Sequence, residues 1–142
     1  VTDCTDGFSS KYLLNDAAVL SGKPLVHAGV LSFSGQVMLV APGGACLRCI
    51  FPEPPPLGVM PTPAEAGILG AVAGVIGLIE AAEAIKFITK SGEPLVNRLL
   101  TFDALDMRWV EVAARKNPEC PLCGKKPSIT ELKETAQRCG RP

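Results

Sequence analysis

Apolar residues change their spacing along this chain, and each change marks an element. Between Phe8 and Leu20, Tyr12, Leu13, Ala17 and Leu20 recur at helical spacing; Ser9 or Ser10 can cap the start, and Gly22 then Pro24 close the segment, predicting a helix over about 9–21. Leu25-Val-His-Ala-Gly-Val-Leu and Gly35-Gln-Val-Met-Leu-Val-Ala-Pro are apolar and β-branched, and Ser32-Phe-Ser-Gly joins them, predicting a hairpin. Residues 41–63 carry a cysteine pair and then Phe51-Pro-Glu-Pro-Pro-Pro, too proline-rich for helix or strand, predicting a long exposed crossover. Over 64–89, Ile68, Leu69, Val72, Val75, Ile76, Ile79, Ile85 and Ile88 predict one helix, with charges arriving only at Glu80, Glu83 and Lys86. Its first half is expected to be buried on nearly all sides and its second half amphipathic, with Gly70, Gly74 and Gly77 admitting a neighbouring backbone. Arg98-Leu-Leu-Thr-Phe-Asp and Met107-Arg-Trp-Val-Glu-Val-Ala alternate as a second hairpin.

These elements make a mixed α/β chain, and 14 glycines and 13 prolines in 142 residues agree with many turns between short elements. Fourteen basic side chains balance 14 acidic ones, so the basic excess that nucleic acid or an acidic membrane requires is absent. The longest uncharged apolar stretch, Ala66 to Ile79, is shorter than the roughly 20 residues of a spanning helix. The first residues, Val-Thr-Asp-Cys-Thr-Asp, have neither a basic nor an apolar signal region, which makes the cytoplasm the expected compartment. They read instead as the end of a strand in a longer protein. A core domain over 1–124 and a polar tail or peripheral helix over 125–142 are expected.

Four of the six cysteines form two C-x-x-C pairs, Cys46-Leu-Arg-Cys49 and Cys120-Pro-Leu-Cys123. Each pair follows a turn-forming stretch and Gly124 follows the second, as zinc knuckles require, and two knuckles complete a tetrahedral, closed and therefore structural zinc site. Two disulfides, or a thioredoxin-like dithiol, are the competing readings. Cys4 and Cys139 read as plain thiols. Asp6 stands after a strand end and before a helix, where a carboxylate can reach magnesium or phosphate in the crevice of an α/β sheet; a helix-capping role competes. His27, the single histidine, lies inside a strand run and reads as a satisfied interior group rather than a general base. Nucleophile-elbow and phosphate-loop motifs are missing.

Taken in order, Asp3-Cys-Thr-Asp-Gly-Phe, Asn15-Asp, Gly22-Lys-Pro-Leu-Val, Gly35-Gln-Val, Cys46-Leu-Arg-Cys-Ile-Phe-Pro-Glu-Pro-Pro-Pro, Glu65-Ala-Gly-Ile-Leu-Gly, Glu83-Ala-Ile-Lys, Phe102-Asp-Ala-Leu and Asn117-Pro-Glu-Cys-Pro-Leu-Cys-Gly carry a family resemblance. Over residues 1–124 the chain resembles the carboxyl-terminal half of the ubiquitin-activating-type adenylyltransferases of the MoeB/ThiF group, which activate sulfur carriers for molybdopterin and thiamine biosynthesis. The resemblance implies a mixed, partly antiparallel sheet with helices, the carboxyl-terminal half of a Rossmann-like fold. It implies ATP-dependent adenylation of the carrier's C-terminal Gly-Gly carboxylate, Asp6 as the catalytic residue holding magnesium and triphosphate, Lys11 beside it at the nucleotide, and Cys46, Cys49, Cys120 and Cys123 as zinc ligands. It also implies a homodimer built through the long glycine-bearing helix.

Three positions depart from the family pattern. The glycine-rich nucleotide half is expected before residue 1, so this chain by itself is expected to be inactive. Pro63 occupies the place where many members carry a cysteine that links covalently to the carrier, which excludes a thioester or persulfide step there. Gly7 replaces the usual asparagine, and Lys11 replaces an arginine and with it the bidentate fork. Two functions therefore compete: part of a carrier-activating adenylyltransferase, or a non-catalytic, zinc-stabilised module that docks a ubiquitin-like carrier or a partner subunit.

Overall fold

A computed structural model describes residues 1–56 and 58–132. In chain order the elements are α1 (Phe8–Leu20), β1 (Leu25–Leu31), β2 (Ser34–Val40), α2 (Leu47–Ile50), α3 (Pro63–Ala66), α4 (Gly70–Thr89), β3 (Arg98–Asp103) and β4 (Arg108–Ala113). The strands form one antiparallel sheet in the order β1-β2-β3-β4. A parallel bridge from Thr2 to Val26 continues it beyond β1, so the expected mixed, partly antiparallel α/β sheet is present. No helix among the described residues is long and apolar enough to cross a membrane.

Because side chains alternate across the pleat, the sheet carries a core on each face. On one, Leu25, Met38, Val40 and Leu99 pack with Tyr12 and Ala18 of α1 and with Cys46, Cys120 and Leu122. On the other, Val26, Ala28, Val37, Leu39 and Phe102 receive Val72 and Ile76 of α4. The layers are thus α1 with the cysteine loops, the sheet, and α4. The chain entering the 125–142 stretch wraps the second knuckle: Lys125 N–H donates to the Pro118 carbonyl, and Ser128 and Ile129 donate to that of Pro121. Cys139 and the rest of the tail from residue 133 lie outside the described residues.

The helix expected over about 9–21 is present as α1, but its expected cap is not: the N-cap is Gly7, which makes no side-chain cap, and neither Ser9, Ser10 nor Asp6 caps it. Its buried residues are Tyr12, Asn15, Asp16 and Ala18, while Leu20 is exposed. The polar pair turns inward because the first cysteine loop supplies hydrogen-bond partners there.

The single helix expected over 64–89 is two. Thr62 and Glu65 form a reciprocal capping box that starts α3, and Gly67 ends it with φ of 72°, after which Ile68 bridges to Ser32. α4 then buries only Val72, Ile76, Glu80 and Glu83, and leaves Val75, Leu78, Ile85 and Ile88 exposed. Burial of the first half on nearly all sides is therefore not seen, since the sheet covers one stripe of the helix. The second half does pack Ile79, Ala84 and Phe87 against the core, but Glu83 turns in beside them to accept the Leu95 N–H at 2.6 Å and to pair with Lys86. Among the described residues, and apart from the helix's own neighbouring backbone, nothing comes within 4 Å of where a methyl would sit on Gly70, Gly74 or Gly77.

Candidate functional site

The antiparallel register lays two cross-strand rows along one end of the sheet: Gly29-Gln36-Thr101-Val110 and Leu31-Ser34-Asp103-Arg108. Residues two apart share a face, so both rows floor one groove of about 1200 Å³. Its walls are the start of α1, with Asp6, Phe8 and Lys11, and the proline-rich crossover, with Pro55, Pro56, Met60 and Pro63. The long crossover expected from its prolines thus exists and overhangs the sheet; α2, one turn inside its early part, is the exception.

Asp6 and Lys11, expected together, do line the same groove. Asp6 is exposed. The Lys11 ammonium donates to the Ala28 carbonyl at 2.6 Å and to Asp3 Oδ2 at 3.2 Å. Asp3 is buried beneath it and also accepts from the Thr5 N–H and hydroxyl at 3.1 and 2.7 Å. Its Oδ2 lies 2.8 Å from His27 Nδ1. Burial alone would discourage ionisation of Asp3, but the His27 and Thr5 hydrogen bonds and the Lys11 charge hold its carboxyl at about 2. Asp3 is therefore a fixed anion that anchors the strand end carrying Asp6. His27 is interior as expected but only half satisfied, since its buried Nε2 has no partner. Behind the sheet, burial and the Asp3 charge push the Glu80 carboxyl up to about 7.

At the other end of α1 the four paired cysteines converge. Their Sγ atoms all lie within 4.8 Å of one another, at 3.8 Å for Cys46–Cys49, 3.6 Å for Cys46–Cys120, 3.3 Å for Cys49–Cys123 and 3.5 Å for Cys46–Cys123. Tetrahedral zinc, with Zn–S near 2.3 Å, separates its sulfurs by roughly 3.8 Å, so the set fits a four-thiolate metal site. Disulfide lengths are ruled out by the same distances, and these cysteines are free.

Local sequence builds each knuckle. Cys49 N–H returns to the Cys46 carbonyl at 2.9 Å and Gly124 N–H to that of Cys120 at 3.0 Å. A methyl on Gly124 would stand 2.5 Å from the Cys120 carbonyl oxygen and 2.6 Å from that of Pro118, so the second knuckle closes only with glycine there. Burial and the neighbouring thiols push the Cys46 thiol far up, and burial first, then the Cys49 contact, takes Cys123 to about 11. At Cys49 burial is outweighed by backbone hydrogen bonds at Asn117 and Cys46, which draw its thiol down. A cation at the centre would relieve the repulsion among the thiolates. Cys4 is exposed and stands apart from the four.

Sequence reasoning missed the groove floor, because Gln36, Thr101 and Arg108 meet only through strand register. It also missed a polar cluster around Asp16 and Arg48, for which Tyr12, Asn15 and Asp16 at i, i+3 and i+4 were the available signal.

Known proteins share sequence and fold with this chain. The ThiF family model matches residues 1–122. The sulfur carrier protein adenylyltransferase of Thermus thermophilus is 44% identical over 146 residues, covering 99% of this chain and 54% of that protein. The SAMP-activating enzyme E1 of Haloferax volcanii is 46% identical over 125 residues, covering 88% of this chain and 46% of that protein. The adenylyltransferase and sulfurtransferase MOCS3 of Bos taurus is 43% identical, covering 99% of this chain and 31% of that protein. This chain thus spans about half or less of the length of these relatives. Escherichia coli MccB has the same fold, with a TM-score of 0.72 at 19% identity over 89% of this chain and 39% of that one. With the family model matching residues 1–122, most of its length, the chain belongs to the ThiF family.

Proposed function

We propose that this chain is the carrier-binding and metal-clamped part of an ATP-dependent adenylyltransferase that activates a ubiquitin-like sulfur carrier. The observation that carries the reading is the groove between sheet, α1 and crossover, lined by Asp6, in a chain 44% identical to a sulfur carrier protein adenylyltransferase. The carrier is of the kind used in molybdopterin or thiamine biosynthesis, and the setting is the cytoplasm, where thiols stay reduced.

A carrier tail ending in Gly-Gly has no side chains at its last two positions, and an overhung groove floored by two cross-strand rows can take it as an extended strand. Its terminal carboxylate oxygen attacks the α-phosphorus of ATP; the bond to the bridging oxygen breaks, pyrophosphate leaves with the electron pair, and an acyl adenylate remains. Asp6 is the residue to hold magnesium at the triphosphate, where the ion neutralises phosphate charge. Lys11 turns its ammonium to Asp3 and Ala28, so it steadies the acidic strand end and adds positive charge near the phosphates. This chain spans about half or less of its relatives, and adenylation is an activity of the complete protein.

Cys46, Cys49, Cys120 and Cys123 hold zinc as a closed structural site, clamping residues more than 70 apart in sequence. The exposed apolar side of α4 is covered by a second copy, making a homodimer. The test is carrier-dependent ATP–pyrophosphate exchange in the complete protein carrying Asp6→Ala. Loss of exchange with an unchanged melting temperature is expected; exchange at the unsubstituted rate would remove Asp6 from the site.

A further inference from the structure

The crossover wall of the groove has a construction problem. Pro52, Pro54, Pro55 and Pro56 have no N–H, so over these residues the backbone cannot tie itself into a ladder or a helix. Its carbonyls are caught from outside instead. The Tyr12 hydroxyl lies 3.0 Å from the Phe51 carbonyl and 2.8 Å from that of Glu53, sharing its single proton between them. Between these two, Arg48 donates from Nη1 to the Pro52 carbonyl at 2.8 Å. Three consecutive carbonyls at the entry to the wall are thus held by two side chains.

Those two side chains are themselves fixed on α1. The Arg48 fork meets both oxygens of Asp16 at 2.7 Å, and its guanidinium lies 4.7 Å from the centre of the Tyr12 ring. Asn15 donates to Asp16 Oδ1 at 3.1 Å and accepts the Leu47 N–H at 2.9 Å. Tyr12, Asn15, Asp16 and Arg48 are all buried. A buried ion pair adds little net stability over an apolar packing of the same shape; what a fully engaged fork adds is a defined direction.

We propose that Tyr12, Asp16 and Arg48 form a latch whose task is to position the crossover over the groove, making Tyr12 and Arg48 positioning residues for whatever the groove binds. Only the identity of that ligand rests on the reading given under Proposed function. The latch closes one side of the groove before any ligand arrives, so the wall does not have to be ordered during binding.

The test is deuterium uptake by the 51–66 stretch in the unsubstituted chain, in Tyr12→Phe and in Arg48→Lys, followed by titration of each with a synthetic peptide ending in Gly-Gly. Tyr12→Phe keeps the ring against Arg48 and removes only the hydroxyl. The expected result is uptake over 51–66 faster by roughly threefold to tenfold, as for loss of one net hydrogen bond, with protection of the β1–β2 amides and the metal content unchanged. Uptake unchanged over 51–66 in Tyr12→Phe overturns the latch. Uptake raised equally over 51–66 and over β1–β2 also overturns it, by showing a general contribution to stability. Arg48→Lys retains the charge and loses the fork, and the same local loss of protection is expected. Failure of the peptide to bind the unsubstituted chain counts against the carrier reading and leaves the uptake result to decide the latch.

Discussion

Gly35 of β2 sits directly beneath Ile76 of α4, so close that a methyl on Gly35 would lie 2.4 Å from Ile76 Cγ1 and 2.6 Å from its Cδ1. The close approach expected at the helix glycines is made here instead, by a strand glycine receiving a helix side chain. Gly35→Ala should therefore lower stability by about 2 kcal/mol through overpacking, and in an Ile76→Ala background, where both contacted atoms are gone, the same change should cost less. Denaturant melts of the two variants check this; additive losses in the double variant would show that the residues do not clash.

Removing a metal held by the four cysteines should loosen the fold as a whole, because Cys46 and Cys120 lie in one core cluster with Leu25, Met38 and Leu99, and Cys49 and Cys123 pack against it. With chelator, or in Cys120→Ser, the melting temperature should fall by more than roughly 10 °C. Metal content by plasma mass spectrometry should read one zinc per chain before treatment. An unchanged melt would remove the structural role.

Two buried carboxyls should give stability opposite slopes with pH. Asp3 is held at about 2 against an ordinary 3.8, so its contribution is complete above that ordinary value and drains away as the pH falls through 2. Glu80 is held at about 7 against 4.5, so it costs nothing while protonated in both states, and stability falls as the pH rises from 4.5 to 7. Glu80→Gln should accordingly stabilise the chain by about 1–3 kcal/mol at pH 8 and by close to nothing at pH 4.5. Comparing the variant with the parent at each pH cancels any change in metal occupancy. An equal gain at both pH values would place the benefit elsewhere.

Leu78 and Ile88 of α4 are 74% and 76% exposed, on a helix whose glycines meet no other element among the described residues. Leu78→Lys should leave the melting of the isolated chain within about 0.5 kcal/mol while abolishing self-association. Sedimentation equilibrium over a range of concentrations measures it; a parent chain that is monomeric throughout would sink the proposed homodimer.

Much of the architecture was legible in local patterns. Apolar, β-branched runs located β1 and β2 and alternating runs β3 and β4, to within about two residues, and the two C-x-x-C pairs named the four cysteines that converge, because both signals are set by neighbours within a few positions. Legibility failed where partners are distant. Asn15 and Asp16 look like solvent-facing helix residues until Leu47 and Arg48, 32 positions on, supply their hydrogen bonds. Glu80 and Glu83 look like the polar stripe of α4, yet they turn inward, Glu83 to hold the Leu95 N–H.

By itself, then, the sequence determined the α/β class, the strands, the thiol chemistry and the family likeness, all of which follow from backbone propensity and short spacings. The tertiary structure alone decided that Gly29, Gln36, Thr101 and Val110 share one row. It also decided that the crossover hangs over that row and that one stripe of α4 is covered. Those outcomes depend on strand register and on long-range hydrogen bonds, whose free energies exist only once segments far apart in the chain have met.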